Sequence, residues 1–442
     1  MEGTSVSWQF DTDPEFQKTL DWIDDFVTSE IEPVDRVITH AWDMSDPLRQ
    51  KLIPPLQQIV KERGLWATHL TPELGGAGFG QMQLSLINEI LGRTHSGPIV
   101  FGTQAPDSGN SEILAHFGTP ELKKRYLEPL IANEIVSCFT MTEPQGGSNP
   151  TEFTTTAKLV GDEWVINGEK WFASNQRFAD FFIIMAVTDP DAAPHRRLSM
   201  FVVPKDAPGI TIVRNTGVWG HDYAEGTHAY ARWEDVRVPS DHILGGVGDG
   251  FHVAQTRLGG GRVHHAMRTV GKATKALEMS LERAASRQTR GGRLGDQQFV
   301  QGMLADSWIE LEQFRLLVLR TAWRIDKEND YKKVIKDIAA VKIALPKVLH
   351  DITSRAIQIH GSLGVSKELV LGKWLMESYH HALADGATEV HKVGLARQLM
   401  RNVEPWNEQF PSYHLPRLRE EAEAKFAREL SEVRAATSLE QE

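Results

Sequence analysis

At 442 residues, with 41% hydrophobic and 24% charged side chains, the chain has the composition of a globular protein and room for two or three domains of about 150 residues each. Its formal net charge of −11 argues against a nucleic-acid binder, whose surface carries a basic footprint. A single cysteine, Cys138, excludes an internal disulfide or a cysteine-based metal cluster. No apolar run approaches the roughly 20 residues of a membrane helix, and neither end reads as a secretory or peroxisomal signal, so a cytoplasmic setting is expected.

The first third reads as helical. Pro14 to Ser29 places Phe16, Leu20, Ile23 and Val27 on one face, and Asp13 before Pro14 predicts the N-cap. Further helical patterns span 47–63, 81–93, 108–116 and 121–132, with a Gly-rich loop at 71–78. Near Ile135 the period changes. Strands are expected at 154–160 and 163–166, then a tight turn at Asn167-Gly168 leading to Lys170–Ala173. Phe181–Val187, Leu198–Val203 and Ile210–Val213 continue the series, and Ala229–Trp233 leads to a last strand at Val236–Pro239. From Phe251 helical patterns return, strongest at 262–286, 297–325, 332–361 and 367–400. A charged stretch at 417–434 predicts one more amphipathic helix. The fold class is therefore α+β in three segments: a helical domain at 1–134, a β-domain at 135–245, a helical bundle at 246–404, then a charged tail at 405–442.

Two segments carry chemistry-bearing residue types. Cys138 through Asn149, with Met141-Thr142-Glu143-Pro144 and Gly146-Gly147-Ser148, leaves a strand into a loop of small and hydroxyl residues. Such a loop is either a surface turn or a backbone cradle for an acceptor-rich ligand. Lys170-Trp171-Phe172-Ala173-Ser174-Asn175 offers an aromatic face with a hydroxyl two residues on, or simply a half-buried strand. The adjacent His264 and His265 do not predict a metal site, because consecutive helical residues point about 100° apart; packing or a solvent-side role is expected.

Together with Gly161 through Lys170, Glu234-Asp235-Val236-Arg237-Val238-Pro239, Gly248-Asp249-Gly250-Phe251 and Ala356 through Gly361, these segments resemble, in order, the signatures of the acyl-CoA dehydrogenase family. The likeness runs from about Pro14 to Arg401. It implies FAD between the β-domain and the C-terminal helices, with Thr142 and Ser174 bonded to the flavin ring and Phe172 stacked on it in place of the usual tryptophan. It also implies Ser148 near the pyrophosphate, and Arg287 and Gln298 on FAD, although Arg290 stands where an aromatic is common. Gln358 and Gly361 match a segment that touches the FAD of a neighbouring subunit, which implies a homo-oligomer, a dimer or a tetramer. An electron-transfer flavoprotein is the acceptor this resemblance implies.

Dehydrogenation of an acyl-CoA thioester needs a carboxylate for the α-proton, hydrogen bonds to the thioester carbonyl, and flavin N5 for the β-hydride. Most family members place a glutamate before a Gly-Thr pair late in the C-terminal domain; the matching stretch here is Ala384-Asp385-Gly386-Ala387-Thr388. Others carry it on an earlier helix just before an arginine, where this chain has Gly261-Arg262. Asp385 is the only carboxylate at either position, so the resemblance makes it the catalytic base, with Arg262 and Gly386 on the substrate side. Aspartate is shorter than glutamate by about 1.5 Å, so backbone or substrate must shift to compensate. Read without the resemblance, Asp385 is a helix cap. The stretch Gly261–Arg268 with Asp385-Gly386 resembles the subgroup of human family members ten and eleven, here expected without the kinase-like domain fused in front of theirs. Two alternatives stay open: a nitroalkane oxidase-like enzyme with the same aspartate base, and a non-catalytic acyl-CoA-binding protein.

Overall fold

The computed structural model describes residues 11–218 and 226–439. The chain forms two compact units that meet in sequence between Leu395 and Ala396.

In the first unit, α1 (Pro14–Phe26) starts where the Asp13 carboxylate accepts the amides of Glu15 and Phe16, and it buries Leu20, Ile23 and Phe26. Three further long helices follow, α2 (Pro47–Glu62), α3 (Gln81–Leu91) and α4 (Asp107–Phe117). Ile23, Ile53, Val60, Ile87 and Leu91 lie fully inside the core that α1–α3 share.

Seven strands come next: β1 (Ser137–Thr140), β2 (Thr156–Val160), β3 (Glu163–Ser174), β4 (Phe181–Val187), β5 (Leu198–Pro204), β6 (Ile210–Thr216) and β7 (His228–Pro239). They build one sheet in the order β1-β4-β2-β3-β7-β6, with β5 paired to β4. The turn expected at Asn167-Gly168 is absent; β3 runs straight through it. A bulge between Ile166 and Gly168 uses the same residues instead. Gly168 has φ 152°, and a β-carbon there would lie 2.4 Å from Thr155 Oγ1. Asn167 spends its side chain on Asp235, donating to Oδ1 at 3.0 Å and accepting the backbone N–H at 2.9 Å. Likewise the two stretches expected near the end of the β-region form a single strand, β7.

The C-terminal helices are α5 (Gly250–Ser286), α6 (Gln298–Glu328), α7 (Ile335–His360), α8 (Leu371–Leu383) and α9 (Thr388–Met400). α7 buries Val341, Leu345, Leu349, Ile352 and Ala356 along one stripe. α5 starts a dozen residues before its strongest helical pattern and carries Gly259-Gly260-Gly261 in its interior. Each such glycine costs about 1 kcal/mol relative to alanine, so packing must hold this part of the helix. Two other glycines set its position. A β-carbon on Gly271 would sit 1.9 Å from Glu89 O, and one on Gly92 would sit 2.2 Å from Arg268 O, so α3 and α5 touch backbone to backbone. Asp326 of α6 adds a tie by accepting the Gln81 and Met82 amides at the start of α3.

The single helix expected over 367–400 is broken between α8 and α9. Asp385 at φ 56° and Gly386 at φ 98° occupy the break, and two successive left-handed residues cannot continue a right-handed helix. In the second unit, the charged tail forms two helices rather than one, α10 (Leu415–Lys425) and α11 (Ala427–Leu439). Helical layer, β-sheet and helical bundle follow in the order expected. Among the described residues no helix is long and apolar enough to cross a membrane.

Candidate active site

The loop after β1 is locked from beneath by a fully buried ion pair. Lys170 Nζ of β3 lies 2.8 Å from Glu143 Oε1 and donates to Met141 O at 2.8 Å. The Glu143 carboxylate also accepts the amides of Thr154 and Thr155. Burial pushes the Glu143 carboxyl up, but the Lys170 ammonium and these N–H donors outweigh it and hold it at about 2. Burial also draws Lys170 down to about 8 against the pull of Glu143. Between the two anchors, Thr142 accepts Trp171 N–H at its carbonyl (2.9 Å), and its side chain stays half-buried beside β3.

A second bulge, between Trp171 and Ala173, turns Phe172 to φ 59°. Its ring stacks on His228 of β7 with centroids 4.4 Å apart and planes at 29°. Ser174 is half-buried at the end of the strand, and Ser148 is exposed in the preceding loop. Two residues beyond Ser174, Gln176 is buried at 1% exposure, and neither of its amide atoms is hydrogen-bonded among the described residues.

On the helical side, Arg257, Gly261 and His265 follow at intervals of four along α5 and therefore share a face. Gly261 and His265 meet Asp385, and Arg257 adds positive charge to its surroundings. A β-carbon on Gly261 would lie 4.0 Å from Asp385 Oδ2, and His265 Nε2 stands 3.5 Å from the same oxygen. Arg262 Nε donates to the Asp385 carbonyl at 3.0 Å, and His391 Nε2 contacts it at 3.1 Å. Burial pushes the Asp385 carboxyl up, yet the surrounding positive charge wins and holds it below the usual carboxylate range. Burial first, and then His381, lower the His265 imidazole while Asp385 draws it up; beside it Arg257 and Arg262 are the permanent charges that favour the Asp385 carboxylate, and Lys342, drawn down to about 8 by burial, adds to them. The carboxylate accepts no backbone N–H among the described residues, so Asp385 is not a helix cap. Next to it, a β-carbon on Gly260 would lie in ordinary van der Waals contact with Tyr331 Oη at 3.5 Å and Glu112 Oε2 at 3.8 Å, so the glycine run could take a small side chain without a clash. Burial raises Glu112 to about 7 despite the nearby Arg257.

A row of rings joins the two groups. Phe172 stacks on His228, His228 meets His380 at 5.5 Å, His380 stacks beside His381, and His381 lies 5.1 Å from His265. The two histidines expected to pack or face solvent therefore part company: His264 is buried near His69, at 6.3 Å, while His265 faces Asp385. The remaining candidates are not gathered here. Arg287, Gln298, Gln358 and Gly361 are all exposed, and among the described residues no hydrogen bond, ion pair or ring contact ties them to Thr142, Phe172 or Ser174. Arg257, Glu143, Lys170 and His381 were not singled out from the sequence. For Arg257 and His265 the signal was present, as a spacing of four on either side of Gly261.

Models of three domains match this chain in succession: acyl-CoA dehydrogenase N-terminal domain at residues 13–134, middle domain at 138–236 and C-terminal domain at 248–400. The chain belongs to the acyl-CoA dehydrogenase family. Probable acyl-CoA dehydrogenase FadE2 of Mycobacterium tuberculosis is 38% identical over 80% of this chain and 86% of its own length. Acyl-CoA dehydrogenase family member 10 of Mus musculus is 35% identical over 88% of this chain, and family member 11 of Homo sapiens is 34% identical over 87%. The chain spans only 37% and 50% of those two relatives. Among solved structures, a putative acyl-CoA dehydrogenase from Mycobacterium abscessus is 35% identical, with a TM-score of 0.82 over 89% of this chain and 100% of that one.

Proposed function

We propose that this family member is an FAD-dependent dehydrogenase of an acyl-CoA thioester, with Asp385 as the base that removes the α-proton. The observation that carries this reading is the convergence at Asp385 of Gly261, whose β-carbon would meet only the Asp385 carboxylate at 4.0 Å beyond its own helix backbone, and the permanent charges of Arg257 and Arg262.

The β-layer residues fit a flavin. Thr142 and Ser174 are half-buried, Phe172 presents a ring on a bulged strand, and buried Gln176 has no partner for its amide among the described residues, as expected where a ligand completes the hydrogen bonding. FAD, when bound, supplies the acceptor for the β-hydride at N5. What the protein's own residues do follows from their chemistry. Asp385, ionised at neutral pH, takes the α-proton onto a carboxylate oxygen. Arg262 fixes the backbone of Asp385 through its carbonyl and so fixes where the chain presents the carboxylate. Gly261, with no side chain of its own beside the carboxylate, leaves the thioester its place there, and Gly386 lines the same break. The Glu143–Lys170 pair keeps the Thr142 loop against β3.

Ser148, Arg287 and Gln298 complete the FAD contacts on this reading. Exposed Gln358 and Gly361 meet the cofactor of a neighbouring copy, so the working form is a homo-oligomer. An electron-transfer flavoprotein reoxidises the flavin. The test is anaerobic mixing of the flavin-loaded protein with a panel of acyl-CoAs. Bleaching of the flavin absorbance with at least one of them is expected; bleaching by nitroalkanes alone, with oxygen uptake, points instead to nitroalkane oxidation.

A further inference from the structure

The carbonyl of Asp385 is held from two sides, by Arg262 and His391, so its backbone is fixed. Its carboxylate is not. Among the described residues no hydrogen bond reaches either carboxylate oxygen, and the one ion-pair contact is His265 Nε2 at 3.5 Å from Oδ2. The terminal torsion of an aspartate is broad, so a carboxylate with no partner samples many orientations. A contact at 3.5 Å sits at the edge of hydrogen-bonding reach, and such contacts commonly tighten when substrate binds.

Resting on the reading of Asp385 as the base, we propose that His265 is its positioning residue: the imidazole donates Nε2–H to Oδ2 and so aims Oδ1 at the substrate's α-carbon. The α C–H bond breaks, its proton goes to Oδ1, and its electron pair becomes the Cα–Cβ double bond as the Cβ–H bond breaks, its hydride going to the acceptor that FAD would supply. His265 keeps its own proton throughout.

The surroundings of His265 suit a neutral donor. From α8, His381 lies 5.1 Å away and stacks beside His380; from α5 itself, Arg268 adds positive charge; from the α8–α9 break comes Asp385. Burial, His381, Arg268 and His380 all disfavour the imidazolium, and only Asp385 favours it. Neutrality matters, because an imidazolium would stabilise the carboxylate and weaken it as a base. His381 is in turn tied to Glu377, its Nε2 3.3 Å from Oε1, and Glu377 pairs with Lys272, so the ring behind His265 is itself held. His265 lies four residues from Gly261, so the face of α5 that leaves space for the substrate also carries the group that orients the base.

The test compares His265→Leu, which removes the donor, with His265→Asn, which keeps an N–H, at equal FAD content. The readouts are the anaerobic bleaching rate at saturating acyl-CoA, the acyl-CoA concentration giving half that rate, and the isotope effect with α-deuterated acyl-CoA. His265→Leu is expected to slow bleaching by about 10- to 100-fold, with a larger α-deuterium effect and an unchanged half-saturating concentration. His265→Asn should recover most of the rate. Unaltered bleaching in His265→Leu, or equal loss in both variants, overturns the proposal. Asp385→Asn separates the two claims. If it bleaches at the wild-type rate, the base assignment falls and the positioning role with it; if it is inactive beside an unimpaired His265→Leu, only the positioning role falls.

Discussion

Gly261 and Asp385 face each other across the α5 helix and the α8–α9 break, with a β-carbon at Gly261 only 4.0 Å from Asp385 Oδ2. These are the two positions at which the acyl-CoA dehydrogenase resemblance seats the catalytic carboxylate. They are far apart in sequence and adjacent in space, so a carboxylate on either one reaches the same volume. On the proposed function, the glycine at one seat would leave that volume to substrate and to the aspartate of the other.

That adjacency makes the base transferable. Asp385→Ala is expected to slow flavin reduction by about 10²- to 10⁴-fold, the usual contribution of a general base. Adding Gly261→Glu to that variant should recover at least about tenfold of the loss, since beyond its own helix the new β-carbon meets only the Asp385 carboxylate that the first substitution removes. Bleaching rates of the single and double variants, compared at equal FAD content, check this.

The buried pair under the Thr142 loop behaves differently. Lys170→Met leaves the Glu143 carboxylate inside the protein with no counter-charge, and a loss of about 3–5 kcal/mol is expected. Adding Glu143→Gln should restore a good part of it. Denaturant unfolding of the three variants measures the coupling.

The same carboxylate sets an acid limb. Glu143 sits at about 2 in the folded protein, against 4.5 for a free glutamate. Its folded value is depressed, so its stabilisation is fully present above about pH 4.5 and is lost as pH falls toward about 2. Stability measured across that window should fall less steeply in Glu143→Gln than in wild type.

Gly271→Ala tests the α3–α5 contact, because a methyl there would press on Glu89 O. A loss of about 1–3 kcal/mol is expected, read as a lower Tm. Gly302→Ala, where a β-carbon meets nothing within 4 Å, is the matched control and should leave Tm unchanged or higher.

Much of this fold is legible in the sequence because its period changes are sharp. The Asp13 cap, the β4 strand at Phe181–Val187 and the buried stripe of α7 all follow from spacing alone. Asn167-Gly168 misleads because the residues that suit a tight turn also suit a bulge, and only the register with Asp235 and Thr155 distinguishes them. The break at 384–387 is hidden because a single Asp-Gly inside a helical pattern does not reveal two successive positive φ values. Asp385 stands out only through the family resemblance. His265 escapes notice because its neighbour His264 draws attention to adjacency, whereas its partner in space is found by counting four from Gly261. The Glu143–Lys170 pair is opaque for a general reason: charged residues are ordinarily solvated, and burial at both ends is a tertiary property.

The most direct test is anaerobic titration of wild type and Asp385→Ala with the acyl-CoA panel, with FAD content measured in both. The wild-type flavin should bleach with at least one acyl-CoA, and Asp385→Ala should stay yellow while retaining its FAD. An Asp385→Ala protein that bleaches at the wild-type rate contradicts the assignment of the base.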